Sequence, residues 1–296
     1  MSMHLDRRGL LLLVVLTIAW GLNWPIMKLG VAHFPAMGFR LLCMAGGLVA
    51  LGLALKVRGE SLRVPRQTWP TVVKLAIPNM VIWHLFAICA VKMLSSGRAA
   101  ILGYTMPIWA VVWGLVIFRE RIAISAWIGI GCALTGTILL LSGEIAALTG
   151  SPAGTLLMLV AAAGWGFGTQ LMKRTHVDIP IGTLTFWMLA ITLPFLAIGT
   201  LLFESGWRMP TAVEWGAIVY NAVVVFAYCH LVWFALARSL PPVVSSLSIM
   251  FIPVVGVFSG MGMLGETPHW QDYVAIVLMF AALSSVMLAP LLRRRL

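Results

Sequence analysis

The chain has 296 residues, of which 61% are hydrophobic and 10% are charged. Soluble domains are about 45–50% apolar and about 25% charged, and a mean hydropathy of +1.01 leaves more apolar surface than one core can hide from water. These values exclude a soluble globular protein and indicate a polytopic membrane protein. Lys and Arg kept in loops for orientation account for the formal net charge of +11, so we expect no nucleic-acid partner.

The apolar sequence is interrupted by charged residues or by Pro and Gly into ten stretches. A helix needs about 20 mostly apolar residues to cross a bilayer, and each stretch meets that length. We therefore predict an all-α integral membrane fold with ten transmembrane helices and short connections. The predicted spans are 9–29, 36–56, 68–91, 97–118, 123–142, 153–173, 181–203, 212–236, 242–264 and 270–291.

The distribution of Lys and Arg predicts the orientation. When the spans alternate sides, 15 of the 20 cationic residues fall on the side of the N-terminus, and this excess marks the cytoplasmic side. Both termini are thus expected in the cytoplasm of a multi-pass protein of the plasma membrane. All cationic residues lie at predicted span ends, and the outer ones are Lys28, Arg40, Lys92, Arg98 and Arg208.

The chain contains an internal repeat. AWGLNWPIMK from Ala19 aligns with GWGFGTQLMK from Gly164 at an offset of 145 residues, and PIWAVVWGLVIFRE from Pro107 aligns with PVVGVFSGMGMLGE from Pro253 at an offset of 146. The identical pairs are Trp20/Trp165, Gly21/Gly166, Met27/Met172, Lys28/Lys173, Pro107/Pro253, Val111/Val257, Gly114/Gly260, Glu120/Glu266 and, at the second offset, His84/His230.

This shift predicts two five-helix units, 1–148 and 149–296. Because five is odd, the second unit enters the membrane upside down, and such inverted repeats enclose a substrate site near the membrane midplane. The predicted architecture is an inverted 5+5 repeat around a central cavity, which the two halves open alternately to each side.

The Trp-Gly pairs of the two halves, the segment SSGRAAILGYTMPIWAVVWGLVIFRERI (95–122) and the 5+5 layout carry a family resemblance. The chain resembles the EamA-type transporters of the drug/metabolite transporter superfamily over essentially its whole length. The resemblance implies a carrier of the bacterial inner membrane that exports small metabolites, often amino acids. It also implies that helices 1–4 and 6–9 surround the cavity and that helices 5 and 10 are peripheral.

Polar and aromatic residues in the middle of spans are the candidates for a substrate site, because buried polar groups in a membrane are costly unless they are used. Helical spacing places Trp20, Asn23 and Met27 on one face of the first span. Interhelical hydrogen bonding or plain packing are the alternatives. The predicted substrate-binding residues are Trp20, Asn23, His84, Tyr104, Trp165 and His230, with Trp24, Asn79, Trp83, Gln170, Asn221 and Tyr228 as secondary candidates.

Prolines within spans are the predicted hinges. A proline leaves a backbone carbonyl free and kinks its helix, so Pro25, Pro107 and Pro253 could bend during alternation or form static kinks. Glu120 and Glu266 follow two of these segments, where they could pair with Arg in a structural or gating role. Tyr228 and His230 would lie about 200° apart on an α-helix and so would not face the same cavity.

Other function classes fit the sequence less well. It contains no motif for intramembrane catalysis, a metal site or a cofactor, and no selectivity filter of a channel. Without a cation in mid-span, the cavity suits amino acids or related zwitterions and amines. A proton-coupled multidrug or organic-cation exporter is the alternative, since aromatic residues bind cations. We expect a monomer that works by facilitated export or by proton coupling through His84 and His230.

Overall fold

The computed structural model describes residues 7–121, 124–146, 151–229, 232 and 242–285, with the side chains of 7–10, 141, 143–146 and 242–250 left aside. These residues form helical segments and no strand. The segments are α1 (Arg7–Val31), α2 (Ala36–Val57), α3 (Arg66–Met93), α4 (Ser96–Val116), α5 (Ile124–Ala146), α6 (Pro152–Arg174), α7 (Ile181–Phe203), α8 (Ala212–Cys229), α9 (Pro242–Leu264) and α10 (Trp270–Leu283).

Seven helices in the described part of the chain are long and apolar enough to cross a membrane, namely α1–α4 and α6–α8. The other three contribute shorter apolar stretches, Ile124–Leu140, Phe251–Leu264 and Trp270–Leu283. The helical segments begin and end within a few residues of the predicted spans wherever both ends are described. The apolar length of each stretch therefore determines where its helix lies.

The third helix of each half contains a π-helical segment. In α3 the segment is Ile77–Ile82, and in α8 it is Tyr220–Cys229. Pro78 lacks the N–H that an α-helix needs at this position, and the wider hydrogen-bond register of a π-helix accommodates it. Tyr228 lies in this π-helical segment, whereas His230 lies outside the described residues, so the angle of 200° expected between them stays a prediction.

The prolines of the fourth helices have different effects. Helix α4 is interrupted at Tyr104 and Thr105, just before Pro107, and the Thr105 hydroxyl donates to the Leu102 carbonyl at 2.6 Å. Helix α9 continues through Pro253, and α1 continues through Pro25. Equivalent prolines in the two halves thus lie in helices of different shape.

Packing between the halves follows the repeat. Helix α1 lies against α9, and α6 lies against α4. In the repeat, α6 is the equivalent of α1 and α4 is the equivalent of α9, so the two contacts are equivalent. Glycines allow both crossings, since a Cβ at Gly21 would collide with Val255 and one at Gly166 would lie 2.7 Å from the Ala110 nitrogen. The glycine of each Trp-Gly motif therefore lies at a close crossing between the two halves.

The main hydrophobic core is formed mostly by α1–α4 and α6–α9, with Phe39, Met44 and Leu102 among its buried residues, and α5 and α10 contribute a few residues to it. Helices α5 and α10 pack chiefly against each other. Their position agrees with the peripheral place that the family resemblance implies.

Candidate functional site

Buried polar side chains from four helices gather between α1, α2, α3 and α8. We call Asn23, Arg40, His84 and Asn221 the buried polar cluster, since each is at most 8% exposed. Among the described residues, Asn23 Oδ1 has no hydrogen-bond partner. Arg40 contacts Asn221 directly and shares the Phe226 ring with His84. Asn23 lies one helical turn from Met27, which Arg40 also contacts.

Arg40 is the cation of this cluster. One of its terminal nitrogens donates to Asn221 Oδ1 at 3.3 Å, and the other contacts the Met27 sulfur. The guanidinium carbon lies 5.7 Å from the centre of the Phe226 ring. The Asn221 amide in turn donates to the Ala217 carbonyl at 3.0 Å, so its oxygen is held toward Arg40.

Arg40 corrects the expectation that cationic side chains mark only span ends and leave the site uncharged. Arg40 is the fifth residue of α2 and so lies near the end of the span. The residue is nevertheless only 4% exposed, because its side chain packs inside the helix bundle. The available signal was its position inside the apolar run AMGFRLLCMAG. The Lys/Arg rule considers the side of the membrane and not the direction of the side chain.

His84 also contacts Phe226. The two rings are 5.3 Å apart in an edge-to-face arrangement, so the imidazole and the guanidinium both lie near the same aromatic ring. Phe226 was not a sequence candidate, because a lone Phe in an apolar span carries no distinguishing signal. His230, the repeat equivalent of His84, lies outside the described residues, and the symmetric pair stays a prediction.

Aromatic candidates meet where α4 is interrupted. The rings of Trp24 and Tyr104 are 6.3 Å apart, and Gly103 makes room for Trp24, since a Cβ there would lie 2.7 Å from its Cη2 atom. Trp83 and Trp165 form a second edge-to-face pair at 5.4 Å. Trp20 is partly buried against the core.

Three secondary candidates have other surroundings. Asn79 donates to the Leu75 carbonyl at 2.9 Å and packs against Gly168. Gln170 donates to the Ala110 carbonyl at 2.5 Å and accepts from Arg174, so it joins α6 to α4. Tyr228 is 36% exposed, unlike the buried Asn79 and Gln170, and its place in the site stays a prediction.

The equivalent carboxylates Glu120 and Glu266 have different partners. Glu266 accepts from the Ser96 nitrogen at 2.7 Å, from its hydroxyl at 2.8 Å and from the Gly97 nitrogen at 3.3 Å. It thereby caps the start of α4. Glu120 instead pairs with Arg174 at the end of α6. The expected Arg partner is thus found for Glu120, whereas Glu266 binds a helix N-terminus.

Other described charges are fixed in local pairs near helix ends. Arg98 donates to Asp272 at 2.7 Å in a buried ion pair. Glu204 caps α2 by accepting from the Met37 and Gly38 nitrogens at 2.8 and 2.9 Å. In the loop before α8, hydrogen bonding to Glu214 raises the pKa of Arg208.

The family model of the EamA-like transporter family matches this chain twice, at residues 7–142 and 152–288. The uncharacterized transporter YoaV of Bacillus subtilis is 25% identical over 86% of this chain and 88% of its own length. The uncharacterized inner membrane transporter YedA of Escherichia coli K12 is 27% identical over 91% of this chain and 87% of its own.

A probable amino-acid metabolite efflux pump of Salmonella typhimurium is 26% identical over 94% of both chains. A solved crystal structure shares the fold, with a TM-score of 0.68 at 21% identity over 97% of this chain and 99% of that one. The two family matches fall on the two halves that the internal repeat defines. The chain belongs to the EamA-like transporter family and is a membrane transporter.

Proposed function

We propose that the chain exports amino acids or related zwitterionic metabolites across the bacterial inner membrane by alternating access. Its units 1–148 and 149–296 form an inverted repeat of ten spans, with the substrate bound between them. The predicted orientation has both termini in the cytoplasm. A reporter fused after Leu296 should therefore be active only as a cytoplasmic fusion, and periplasmic activity would contradict this topology.

The different states of equivalent elements are the observation that supports alternating access. Glu266 is bound to the start of α4, while Glu120 is bound to Arg174. Helix α4 is interrupted before Pro107, while α9 continues through Pro253. Two similar halves that hold unlike conformations can exchange them, and that exchange opens a central site alternately to each side.

The substrate class is proposed from the site and from a relative. Amide, imidazole and aromatic side chains surround the region between the halves and suit a small polar solute with an apolar part. One relative carries the name of a probable amino-acid metabolite efflux pump. The binding residues we propose are Trp20, Asn23, His84, Tyr104, Trp165 and His230.

An organic-cation exporter is the second candidate. Two aromatic pairs, Trp24 with Tyr104 and Trp83 with Trp165, lie near the interrupted α4. Aromatic faces bind cations with about 0.5–2 kcal/mol each. Proton coupling through His84 would accompany this candidate, whereas facilitated export fits a chain in which the described carboxylates lie at helix ends and loops.

An export assay in cells separates the two candidates. Cells that take up dipeptides and hydrolyse them accumulate free amino acids, and we expect expression of this chain to increase amino-acid release into the medium over an empty vector. Resistance to quaternary amines without increased amino-acid release would instead support the organic-cation exporter.

A further inference from the structure

We propose that Arg40 binds the carboxylate group of the transported solute, and that the substrates are therefore carboxylate-bearing metabolites. This inference rests on the proposed function and specifies its substrate class. The group that binds the carboxylate is the guanidinium of Arg40 on α2, in the buried polar cluster.

Arg40 is buried, and the described residues supply no counter-ion to it. No carboxylate oxygen of the described residues lies within 4.0 Å of its nitrogens, and its Nε atom has no hydrogen-bond partner. A thioether is a weak acceptor, which leaves Asn221 Oδ1 as its one conventional acceptor in the described structure. A buried charge is costly unless it is paired, so this position has the electrostatic need that a bound anion would meet.

Arg98 shows how this protein treats a structural arginine. Arg98 is also buried, at 8% exposure, but Asp272 neutralises it at 2.7 Å. Arg40, at 4% exposure, has an amide, a sulfur and an aromatic ring around it instead. The contrast lies in the partner and not in the depth of burial.

The surroundings of Arg40 connect it to the predicted substrate site. Met27, which contacts its guanidinium, lies one helical turn from Asn23 on the same face of α1. Phe226, on which Arg40 stacks, also contacts His84. Asn23 Oδ1 is a second buried polar atom without a hydrogen-bond partner, and it could accept from the ammonium or hydroxyl group of a solute.

Glu204, the acid at the start of α2, does not serve as a counter-ion. Its two oxygens accept from the Met37 and Gly38 nitrogens. The carboxylate thus binds the N-terminus of α2 and not the guanidinium of Arg40. A guanidinium presents a planar fork that holds a carboxylate with two parallel hydrogen bonds. The same positive charge repels a solute that carries only an amine.

Paired ligands test the assignment directly. The purified protein in detergent is heated with L-leucine, L-phenylalanine or L-threonine, with the corresponding amino-acid amides, and with the 2-oxo acid of leucine. A ligand that binds the native state raises the unfolding temperature. We expect stabilisation by at least one of the amino acids and weaker binding, by about tenfold or more, of its amide. The oxo acid shows whether the ammonium group is also needed.

The variant Arg40→Gln removes the charge but keeps a donor for Asn221. We expect it to lose the preference for acid over amide, while Arg40→Lys retains part of it. The matched control, Arg208→Gln, removes a cation that pairs with Glu214 in a loop and should keep the full preference. Without ligand, Arg40→Gln should be at least as stable as the wild type, because it removes an uncompensated buried charge.

Equal binding of acid and amide by the wild type, or an unchanged preference in Arg40→Gln, would overturn the assignment. A large loss of stability in the unliganded Arg40→Gln protein would show a structural role instead and would also overturn it. If the cell assay detects amino-acid export while these results hold, the proposed function stands and Arg40 alone is excluded. If quaternary amines bind and no carboxylate does, both proposals fail.

Discussion

Asn23 and Trp165 occupy the first helices of the two halves and contact different parts of the proposed site. Asn23→Ala removes one hydrogen-bonding group, worth about 1 kcal/mol, and should weaken transport about fivefold. Trp165→Ala removes the partner of Trp83 at 5.4 Å and should weaken it about tenfold, since a buried aromatic pair contributes contact area and about 1 kcal/mol beyond it.

Initial rates of amino-acid release, measured at equal membrane abundance, check both variants. Thr135→Ala on α5 is the control, because its exposed hydroxyl only donates to the Gly131 carbonyl. Unchanged kinetics in both site variants would remove Asn23 and Trp165 from the binding site.

Single residues show how far the sequence predicts this site. Asn23 and His84 became candidates because a polar side chain in mid-span is unusual. Both are buried, and their role in binding stays a prediction. Arg40 was missed, because its position near a span end conceals the direction of its side chain. Tyr228 was assigned to the site from its polarity; it is 36% exposed on α8, and its place in the site stays a prediction.

At the level of helices, Gly166 tests the crossing of α6 and α4. A Cβ there would lie 2.7 Å from the Ala110 nitrogen and 2.9 Å from the Met106 carbonyl oxygen, and backbone atoms cannot move aside. We expect Gly166→Ala to lower the free energy of unfolding by about 1–3 kcal/mol, as overpacking does. Thermal unfolding in detergent measures the effect.

Gly131 on α5 provides the matched control. A Cβ at this position meets no heavy atom of the described structure within 4 Å, and Ala favours a helix over Gly by up to about 1 kcal/mol. Gly131→Ala should therefore leave stability unchanged or increase it. Equal unfolding temperatures for the Gly166→Ala protein and the wild type would contradict the close crossing.

The cap of α4 by Glu266 is the second element to test. Glu266→Ala removes three hydrogen bonds to a carboxylate, each worth about 1.5–3 kcal/mol, and so should change the balance between the two conformations. We expect the maximum transport rate to fall about tenfold with little change in half-saturation, and Glu266→Gln to restore part of it.

Asp178→Ala serves as the control for the Glu266 variants, because Asp178 is an exposed acid whose ion-pair partner is His176. Transport by Asp178→Ala should equal that of the wild type. A Glu266→Ala protein that is less stable but transports at the normal rate would show that the cap only supports the fold.

Helices were easier to predict than their irregularities. Apolar length alone located α1–α4 and α6–α8, and Pro107 indicated the interruption of α4. The π-helical segments of α3 and α8 were not predicted, because the extra residue that such a segment absorbs leaves no pattern in an apolar stretch.

At the scale of the whole molecule, the repeat visible in the sequence explains how the halves pack. The contact between α1 and α9 has its repeat equivalent in the contact between α6 and α4. The contact between α2 and α8 likewise has its equivalent in the contact between α7 and α3. A single shift of about 145 residues between the repeat motifs thus corresponds to one pattern of interfaces. The repeat does not predict which solute is transported, since substrate choice depends on individual side chains such as Arg40.

Counterflow in proteoliposomes tests alternating access of an amino-acid carrier most directly. Vesicles that contain the purified protein are loaded with unlabelled amino acid and diluted into a trace of the labelled form, without a pH gradient. We predict a transient accumulation of label inside, because a carrier exchanges solute through one site that opens to each side in turn. Label that only equilibrates, as through a channel, or uptake that requires a pH gradient after His84→Gln and His230→Gln are combined, would contradict facilitated alternating access.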